Sequence, residues 1–304
     1  MKILIFGSNG LVGSSVTRTL RNASYEIIPS NRKDTNLFNF DETKKKITDE
    51  NPSIIINAAA KVGGIFANDT LRTEFILENL KINMNILESC IGIQNIKIIN
   101  LGSSCIYPLN AENPISESSI MTGPLEPTNS PYAMAKLTAI EIGDSLRQQF
   151  GMDIVNLMPT NLYGPNDNFT KEQSHVIPGL ISRMHEAKIN NDKEFFIWGS
   201  GRPLREFLFV DDLSDCIRFI VENGINENLI NVGSGSEISI LNLAKEIKEI
   251  VKFEGNLVFD SSKPDGNPRK LLDSSLINNL GWTAKTNLKD GLNSTYKWYL
   301  SNIS

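Results

Sequence analysis

The sequence predicts an α/β protein, with a doubly wound parallel sheet in its first half and a smaller α/β domain towards the C-terminus. Two observations predict this class. Short runs rich in Ile, Leu and Val alternate with longer amphipathic stretches through the first half, as repeated βαβ units require. A glycine-rich segment follows the first of these runs directly, where a strand would turn into a helix. Together these features are typical of a Rossmann fold.

The positions of the elements follow from the same runs of residues. After Gly164 proline and glycine become frequent, which marks the start of the smaller domain. The segments 207–221 and 229–232 are expected to form a strand, a helix and a strand that return to the main sheet. Residues 1–164 with 207–232 are therefore assigned to the larger domain, and residues 165–206 with 233–304 to the smaller one. The other predicted strands are residues 2–6, 26–29, 54–58, 96–101, 154–157 and 194–198, and the other predicted helices are residues 11–21, 41–50, 71–90, 132–150, 176–187, 240–251 and 288–300.

Composition limits the classes of partner. The 304-residue chain carries a formal net charge of -5, and a nucleic-acid groove needs a basic surface instead. Its cysteines, Cys90, Cys105 and Cys216, show no CxxC spacing, so neither a disulfide framework nor a metal site is expected. No apolar run approaches the length of a membrane span, and no signal peptide is evident. We therefore expect a cytoplasmic protein without nucleic-acid or membrane partners.

The glycine-rich segment predicts a dinucleotide site. Glycines let the backbone turn tightly and approach a pyrophosphate, whose charge is held by the amides at the start of the following helix. The last glycine of such a loop allows the helix to pack closely on the strand. The segment that follows the first strand here reads Gly7-Ser8-Asn9-Gly10-Leu11-Val12-Gly13.

The end of the second predicted strand indicates which dinucleotide binds. An acidic residue there suits the ribose hydroxyls of NAD, whereas a nearby arginine suits the 2′-phosphate of NADP. This chain has Ser30 at that position, and Arg32 and Lys33 follow. The pattern favours NADP, with Arg32 as the leading phosphate contact, although Asp34 leaves NAD open.

Tyr132 and Lys136 lie four residues apart in a predicted helix and so share one face. A phenol with an ordinary pKa of about 10 is a poor acid or base at neutral pH, and a nearby ammonium stabilises its phenolate. We therefore expect Tyr132 to exchange a proton with a carbonyl or an alcohol. Ser103 follows the predicted strand 96–101, at the edge where ligands bind in open α/β sheets, and is placed to hydrogen-bond the same oxygen.

Beyond these patterns, six longer segments resemble one known family over essentially the whole chain. The chain resembles the extended short-chain dehydrogenase/reductases, and among them those that act on GDP-linked 4-keto sugars. The resemblance implies a reaction in two parts, in which carbons 3 and 5 of a 4-keto-6-deoxymannose ring are inverted and NADPH then reduces the ketone. The segments that carry it are residues 58–65 (AAAKVGGI), 102–108 (GSSCIYP), 125–129 (LEPTN), 158–165 (MPTNLYGP), 174–178 (SHVIP) and 263–266 (KPDG).

The resemblance also implies roles for single residues. Inversion needs an acid and a base on opposite faces of the ring, and the resemblance assigns Cys105 as the base and His175 as the acid. For reduction it assigns Tyr132 as the proton donor, Ser103 as the hydrogen-bond partner of the carbonyl, and Lys136 as the residue that tunes Tyr132 and holds the nicotinamide ribose.

The remaining implied contacts fall into two groups. The bidentate fork of arginine suits a diphosphate, and Trp198 offers an apolar face to the nucleoside. This chain departs from the family at Ser8 and Asn9, where a basic residue is common, and at Asn39, where an aspartate that contacts adenine is common. The implied cofactor contacts are Leu37, Asn39, Ala58, Ala60, Leu101, Gly102, Ser103, Ser104, Pro159, Thr160, Asn161, Leu162 and His175, and the implied substrate contacts are Arg183, Trp198, Arg205, Asp265 and Lys270.

Several alternatives stay open at this stage. The nearest is a reductase or epimerase-reductase for another GDP-4-keto sugar, of the colitose or deoxyheptose type. A 4,6-dehydratase would need a carboxylate acid/base pair beside the tyrosine, and a UDP-sugar 4-epimerase would leave Cys105 and His175 without a role. A non-catalytic dinucleotide sensor would not need Tyr132 and Lys136. By analogy with the family we also expect a homodimer through the helices 71–90 and 132–150.

Overall fold

A computed structural model of the chain describes residues 1–21, 23, 25–170, 174–260, 265 and 267–303. The predicted elements are present, with bounds that differ by a few residues at most. The strands are β1 (Lys2–Phe6), β2 (Glu26–Ser30), β3 (Ile54–Asn57), β4 (Lys97–Leu101), β5 (Asp153–Pro159), β6 (Asn161–Tyr163), β7 (Glu194–Trp198), β8 (Leu204–Phe209), β9 (Leu229–Val232), β10 (Glu237–Ser239), β11 (Asn256–Asp260) and β12 (Arg269–Lys270). The helices are α1 (Leu11–Arg21), α2 (Phe40–Glu50), α3 (Ile65–Thr70), α4 (Arg72–Ser89), α5 (Ser130–Phe150), α6 (Val176–Ile189), α7 (Val210–Glu222), α8 (Ile240–Val251), α9 (Ser275–Asn279) and α10 (Leu288–Asn302).

Six parallel strands form the main sheet, in the order β2-β1-β3-β4-β5-β9. Side chains of a strand alternate between the two faces of a sheet, so a strand that is apolar throughout predicts helices on both faces. In β1, Ile3 and Ile5 pack with α1 and α7, whereas Leu4 and Phe6 pack with α2, α4 and α5. The doubly wound Rossmann sheet predicted from the sequence is confirmed.

A second, smaller lobe is built on β8, which pairs with β6, β10 and β12, and on the separate pair β7 and β11. The expectation that a strand near residue 207 returns to the main sheet is wrong, because β9 takes the place beside β5. Leu208 of β8 packs in the core of the main sheet, while Phe207 and Phe209 point into the second core. This strand therefore joins the two lobes, and only α7 and β9 return to the larger one.

The strands β1, β3, β4 and β5 all end at the same edge of the main sheet, because they run parallel. The residues that follow them are the glycine-rich segment, the loop 58–61, Ser103 with Cys105, and Thr160. This edge brings together most of the residues singled out in the sequence. Among the helices that the structure describes, none combines the length and the apolar character needed to cross a membrane.

Candidate active site

The glycine-rich segment forms the tight turn that the sequence predicts. Gly7 has a φ of +76°, and a Cβ there would lie 2.7 Å from the carbonyl carbon of Ala58 and from the Cα of Ala59. The amide of Gly10 donates to the carbonyl of Gly7 at 3.1 Å, and a Cβ on Gly13 would overlap that same carbonyl. Helix α1 begins at the next residue after Gly10, so its free amides face the turn. The geometry suits a pyrophosphate.

The segment after β2 contains Arg32, which suits NADP, and Asp34, which suits NAD, and the structure gives the two side chains different partners. The carboxylate of Asp34 accepts a hydrogen bond from the amide of Asn31 at 2.9 Å and so closes its own turn. Ser30 is buried, and its hydroxyl donates to Thr35. Arg32 is exposed, with its guanidinium 5.0 Å from the centre of the Phe38 ring. Arg32 is thus available to a phosphate, whereas Asp34 is engaged within the loop.

Two other expected cofactor contacts also have structural partners. Asn39 caps α2, and its side-chain oxygen accepts a hydrogen bond from the amide of Glu42 at 3.1 Å. Its side-chain NH₂ group takes no part in this cap. An asparagine here, in place of the aspartate that is common in the family, can therefore still form a hydrogen bond to a base. The carbonyl of Leu37 accepts a hydrogen bond from Asn85 at 2.8 Å, which anchors the loop to α4.

Lys136 is buried, with 2 % of its surface exposed, and lies one helical turn after Tyr132 in α5. Its Nζ donates to the carbonyl of Leu101 at 2.6 Å and lies 5.8 Å from the centre of the Tyr132 ring. Burial lowers the pKa of Lys136 to about 8, since the ammonium loses contact with water. The spacing in the sequence thus places the two side chains side by side, as predicted.

Tyr132, Ser103 and Cys105 converge at the end of β4. Burial raises the pKa of Tyr132, the nearby Cys105 raises it further, and a hydrogen bond from Ser103 opposes the shift. The net direction is the reverse of the one expected from the lysine four residues away, because Lys136 points to the carbonyl of Leu101 and desolvation dominates. A phenol that stays protonated at neutral pH is suited to donate a proton. The hydroxyl oxygen of Ser103 also accepts a hydrogen bond from the amide of Cys105 at 3.2 Å. This hydrogen bond caps the short 3₁₀ turn Ser104–Ile106.

His175 is the last residue before α6, and its side chain is exposed at the surface. Protein atoms nevertheless surround it closely enough that burial lowers its pKa. Its imidazole is neutral at neutral pH and can still donate its ring N–H, as a neutral histidine does in other enzymes.

The expected substrate contacts gather on the smaller lobe. Arg205 of β8 and Lys270 of β12 are register neighbours in adjacent strands. Trp198 ends β7 with 61 % of its surface exposed, and the loop that follows it is held by Asp265, whose carboxylate accepts the amide of Ser200 at 2.6 Å and its hydroxyl at 2.7 Å. Of the motif at 263–266, only Asp265 lies within the described residues.

We call these expected substrate contacts on the smaller lobe the rim. Arg205 connects the rim to the end of β4, where Ser103 and Cys105 lie. Burial lowers the pKa of Arg205, while the nearby Asp265 and Cys105 oppose the shift. Arg205 is therefore within electrostatic range of both the rim and the expected base. Arg183 of α6 lies beside β7, where its guanidinium donates to the carbonyl of Phe196 at 3.4 Å and stacks 5.2 Å from the centre of the Phe195 ring.

One residue of this region was missed in the sequence. Glu206 of β8 is completely buried, and its carboxylate accepts hydrogen bonds from the amides of Gly235 at 2.8 Å and Leu272 at 3.1 Å. Its backbone carbonyl accepts hydrogen bonds from the side chains of Thr160 and Asn161. Glu206 therefore ties Thr160 and Asn161, two of the implied cofactor contacts, to the second sheet. A glutamate inside the apolar run REFLF was the signal available in the sequence.

Comparison with known proteins agrees with this geometry. Residues 3–233 match the model of the NAD dependent epimerase/dehydratase family, and the chain belongs to this family of extended short-chain dehydrogenases. Its relatives include GDP-L-fucose synthase 1 of Arabidopsis thaliana, which is 47 % identical over 303 residues and covers 99 % of this chain and 94 % of that protein. GDP-L-fucose synthase of Sinorhizobium fredii is 45 % identical over 303 residues and covers 100 % of this chain and 96 % of that protein. The family resemblance inferred from the sequence segments is confirmed.

Solved structures of nucleotide-sugar enzymes share the fold of this chain. A GDP-L-fucose synthetase from Naegleria fowleri bound to NADP superposes with a TM-score of 0.88 at 30 % identity, over 99 % of this chain and 94 % of that one. A GDP-6-OMe-4-keto-L-xylo-heptose reductase from C. jejuni superposes with a TM-score of 0.92 at 31 % identity, over 99 % of this chain and 97 % of that one. The fold is shared over nearly the full length of all three proteins.

Proposed function

We propose that the chain is a GDP-L-fucose synthase, which inverts carbons 3 and 5 of GDP-4-keto-6-deoxy-D-mannose and reduces carbon 4 with NADPH. The observation that carries the proposal is the convergence of Ser103, Cys105 and Tyr132 beside the buried Lys136. The similarity to two GDP-L-fucose synthases, at 47 % and 45 % identity over nearly the whole of each chain, supports the choice of substrate.

NADP(H) fits the residues present. The glycine turn suits a pyrophosphate, and the exposed guanidinium of Arg32 suits the 2′-phosphate, while Asp34 is engaged within its own loop. Ala58 and Ala60 follow β3 at the same edge, and Pro159, Thr160, Asn161 and Leu162 follow β5. When bound, NADPH supplies the hydride for the ketone.

In the reduction, Tyr132 donates the proton to the carbonyl oxygen of the sugar. Its raised pKa keeps the phenol protonated until that oxygen becomes basic, and the hydroxyl of Ser103 holds the oxygen in place. Lys136 lies beside the Tyr132 ring and would hold the ribose of the nicotinamide when NADPH is bound. The carbonyl of Leu101 fixes the position of its ammonium.

In the epimerisation, Cys105 removes the proton next to the ketone and His175 returns one to the opposite face. The ketone makes these protons acidic, and Tyr132 with Ser103 stabilises the charge that develops on its oxygen. Cys105 lies close enough to Tyr132 to affect its titration, which supports their action on adjacent atoms of one ring. Arg183, Trp198, Arg205, Asp265 and Lys270 would hold the GDP group.

The test is NADPH oxidation, followed by absorbance, with GDP-4-keto-6-deoxy-D-mannose as substrate. We expect turnover, and product formed in deuterated water should carry deuterium at carbons 3 and 5 by NMR. Turnover without deuterium would remove Cys105 and His175 from the proposal. No turnover with any GDP-4-keto sugar would leave the non-catalytic dinucleotide sensor as the better reading.

A second candidate is a reductase for another GDP-4-keto sugar, such as a heptose or colitose precursor. The structural match to the C. jejuni heptose reductase favours it, with a TM-score of 0.92. The two candidates share Tyr132, Ser103 and Lys136 and differ in the ring they accept. Assays of the deoxymannose and heptose substrates side by side separate them, since the true substrate should show the larger kcat/KM.

We also propose that the protein acts as a cytoplasmic homodimer. Helices α4 and α5 pack together, and their outer faces expose Leu77, Met84 and Met134. An apolar surface of this kind on two adjacent helices suits the same helices of a second copy. Light scattering should give the mass of a dimer, and a Leu77→Lys, Met134→Lys double variant should give that of a monomer.

A further inference from the structure

A row of asparagines crosses the interior of the main sheet. Asn57, Asn100 and Asn156 occupy the same register position in the neighbouring strands β3, β4 and β5. Each is 2 % exposed or less, and Asn83 of α4 lies against the row with 1 % exposed. We call these four residues the asparagine row.

The row is joined by hydrogen bonds between side chains. Asn57 donates to the side-chain oxygens of Asn83 and Asn100, both at 3.0 Å. Asn100 donates to Asn156 at 3.2 Å, and Asn156 donates to the carbonyl of Asn228 at 3.2 Å. Buried amides are costly unless they are paired, and apolar side chains of the same size would pack here without that cost. The row therefore calls for a role that apolar residues would not supply.

One end of the row reaches the backbone of the loop 58–61. The side-chain oxygen of Asn57 accepts a hydrogen bond from the amide of Ala59 at 3.2 Å. Asn83 donates to the carbonyl of Asn79 at 2.8 Å, and the side chain of Asn79 bonds both the amide and the carbonyl of Lys61 at 3.0 Å. The loop after β3 is thus held at two points by the row and its neighbour.

The position of this loop in turn limits the glycine turn. The backbone of Ala58 and Ala59 lies so close to Gly7 that a Cβ on Gly7 would be 2.7 Å away. A shift of the loop towards Gly7 would therefore displace the turn that faces the pyrophosphate. Sites that bind through the backbone depend on such supporting contacts, because a flexible site binds more weakly.

We propose that Asn57 is a positioning residue of the dinucleotide site, supported by Asn83 and Asn100, and that it sets cofactor affinity without touching the cofactor. This inference rests on the proposed function, since it takes the glycine turn to be the NADPH site. Asn156, at the other end of the row, is equally buried and belongs to the same network, but its contacts lead to Asn228 and away from the loop 58–61.

The experiment compares Asn57→Ala with Asn156→Ala. Both remove a buried amide from the row, so both should lower the melting temperature. Only Asn57→Ala should weaken NADPH binding, by about tenfold in Kd, because a lost hydrogen bond to a buried amide is of that size. With saturating NADPH its kcat should stay close to that of the wild type, so the loss appears in KM for the cofactor.

Asn79→Ala is the second arm, because it releases Lys61 and leaves the row intact. It should weaken NADPH binding in the same direction, and it keeps the test open if Asn57→Ala fails to fold. Equal NADPH affinities for the Asn57→Ala and Asn156→Ala proteins would overturn the inference, as would unchanged affinity in a folded Asn79→Ala protein. Wild-type protein that does not bind NADPH would overturn the proposed function, and the positioning role with it.

Discussion

The end of β4 and the rim of the smaller lobe differ in what shifts the pKa values of their charged groups. Lys136 is buried, and its ammonium is held by a backbone carbonyl, so its pKa is lowered to about 8. On the rim, Asp265 is exposed, and hydrogen bonds from Ser200 lower its pKa. Burial thus controls the protonation of Lys136 in the first region, whereas hydrogen bonds from Ser200 control that of Asp265 in the second.

The difference separates chemistry from binding. Burial at the end of β4 shifts the pKa values of the groups that would act on the ketone, raising that of Tyr132 and lowering that of Lys136, whereas exposed paired charges hold a ligand without changing state. We therefore expect variants at the end of β4 to lower kcat, and variants on the rim to raise KM. The predictions below test that division, beginning with the largest effect.

Replacing Tyr132 by Phe should lower kcat by roughly a thousandfold, because the proton donor of the reduction is lost. The Kd for NADPH should remain that of the wild type, since the ring is retained. Tyr296→Phe is the matched control: it also removes a hydroxyl from a largely buried ring, whose partner is His185 at 2.9 Å in the second core. A Tyr132→Phe enzyme with wild-type kcat would contradict the assignment.

Arg205→Met should raise KM for the GDP-linked substrate by about tenfold to a hundredfold, through the loss of hydrogen bonds to a charged diphosphate. The kcat value should change little. Arg269→Met serves as the control, because Arg269 of β12 is exposed and pairs at 2.8 Å with Glu237 of β10, on the other side of β8. If the loss fell on kcat instead, the rim would take part in the chemistry and the division would fail.

The pH dependence should show a limb near pH 8. The folded pKa of Lys136 is lowered to about 8, so its ammonium loses a proton as the pH rises through that value, and kcat/KM should fall. In Lys136→Arg the limb should move to higher pH, since arginine stays charged. The free energy of unfolding should change in the opposite direction to the activity. Between about pH 8 and the ordinary lysine pKa the unfolded chain binds more protons than the folded one, so the free energy of unfolding should rise with pH.

That stability change is measured by denaturant titration across the same pH range, with Lys136→Met as the reference. A wild-type activity profile that stays flat up to pH 10 would show that the charge of Lys136 is not needed, or that its pKa is not lowered.

Arg32→Ala should have the smallest effect, a rise of about tenfold in the Kd for NADPH with no change for NADH, because only NADPH carries the 2′-phosphate. Lys33→Ala is the control, since Lys33 is its exposed neighbour. Equal losses for both nucleotides would mean that Arg32 supports the loop through Phe38 and does not select the cofactor.

Parts of the site that depend on local sequence were predicted well. The glycine turn lies where the segment 7–13 places it, and Tyr132 and Lys136 share a helix face as their spacing requires. Glu206 was missed, because its partners Gly235 and Leu272 are far away in sequence. The asparagine row was missed for the same reason, since it exists only where three strands align.

By itself the sequence determined the doubly wound sheet and the glycine turn, because apolar periodicity and turn chemistry act over a few residues, and six longer segments carried its resemblance to the family. Only the tertiary structure decided that β8 belongs to the second sheet, which depended on competition between strands for the place beside β5. It also decided that the pKa of Tyr132 rises. Desolvation depends on the atoms that surround the phenol, and the spacing of Tyr132 and Lys136 in the sequence does not specify those atoms.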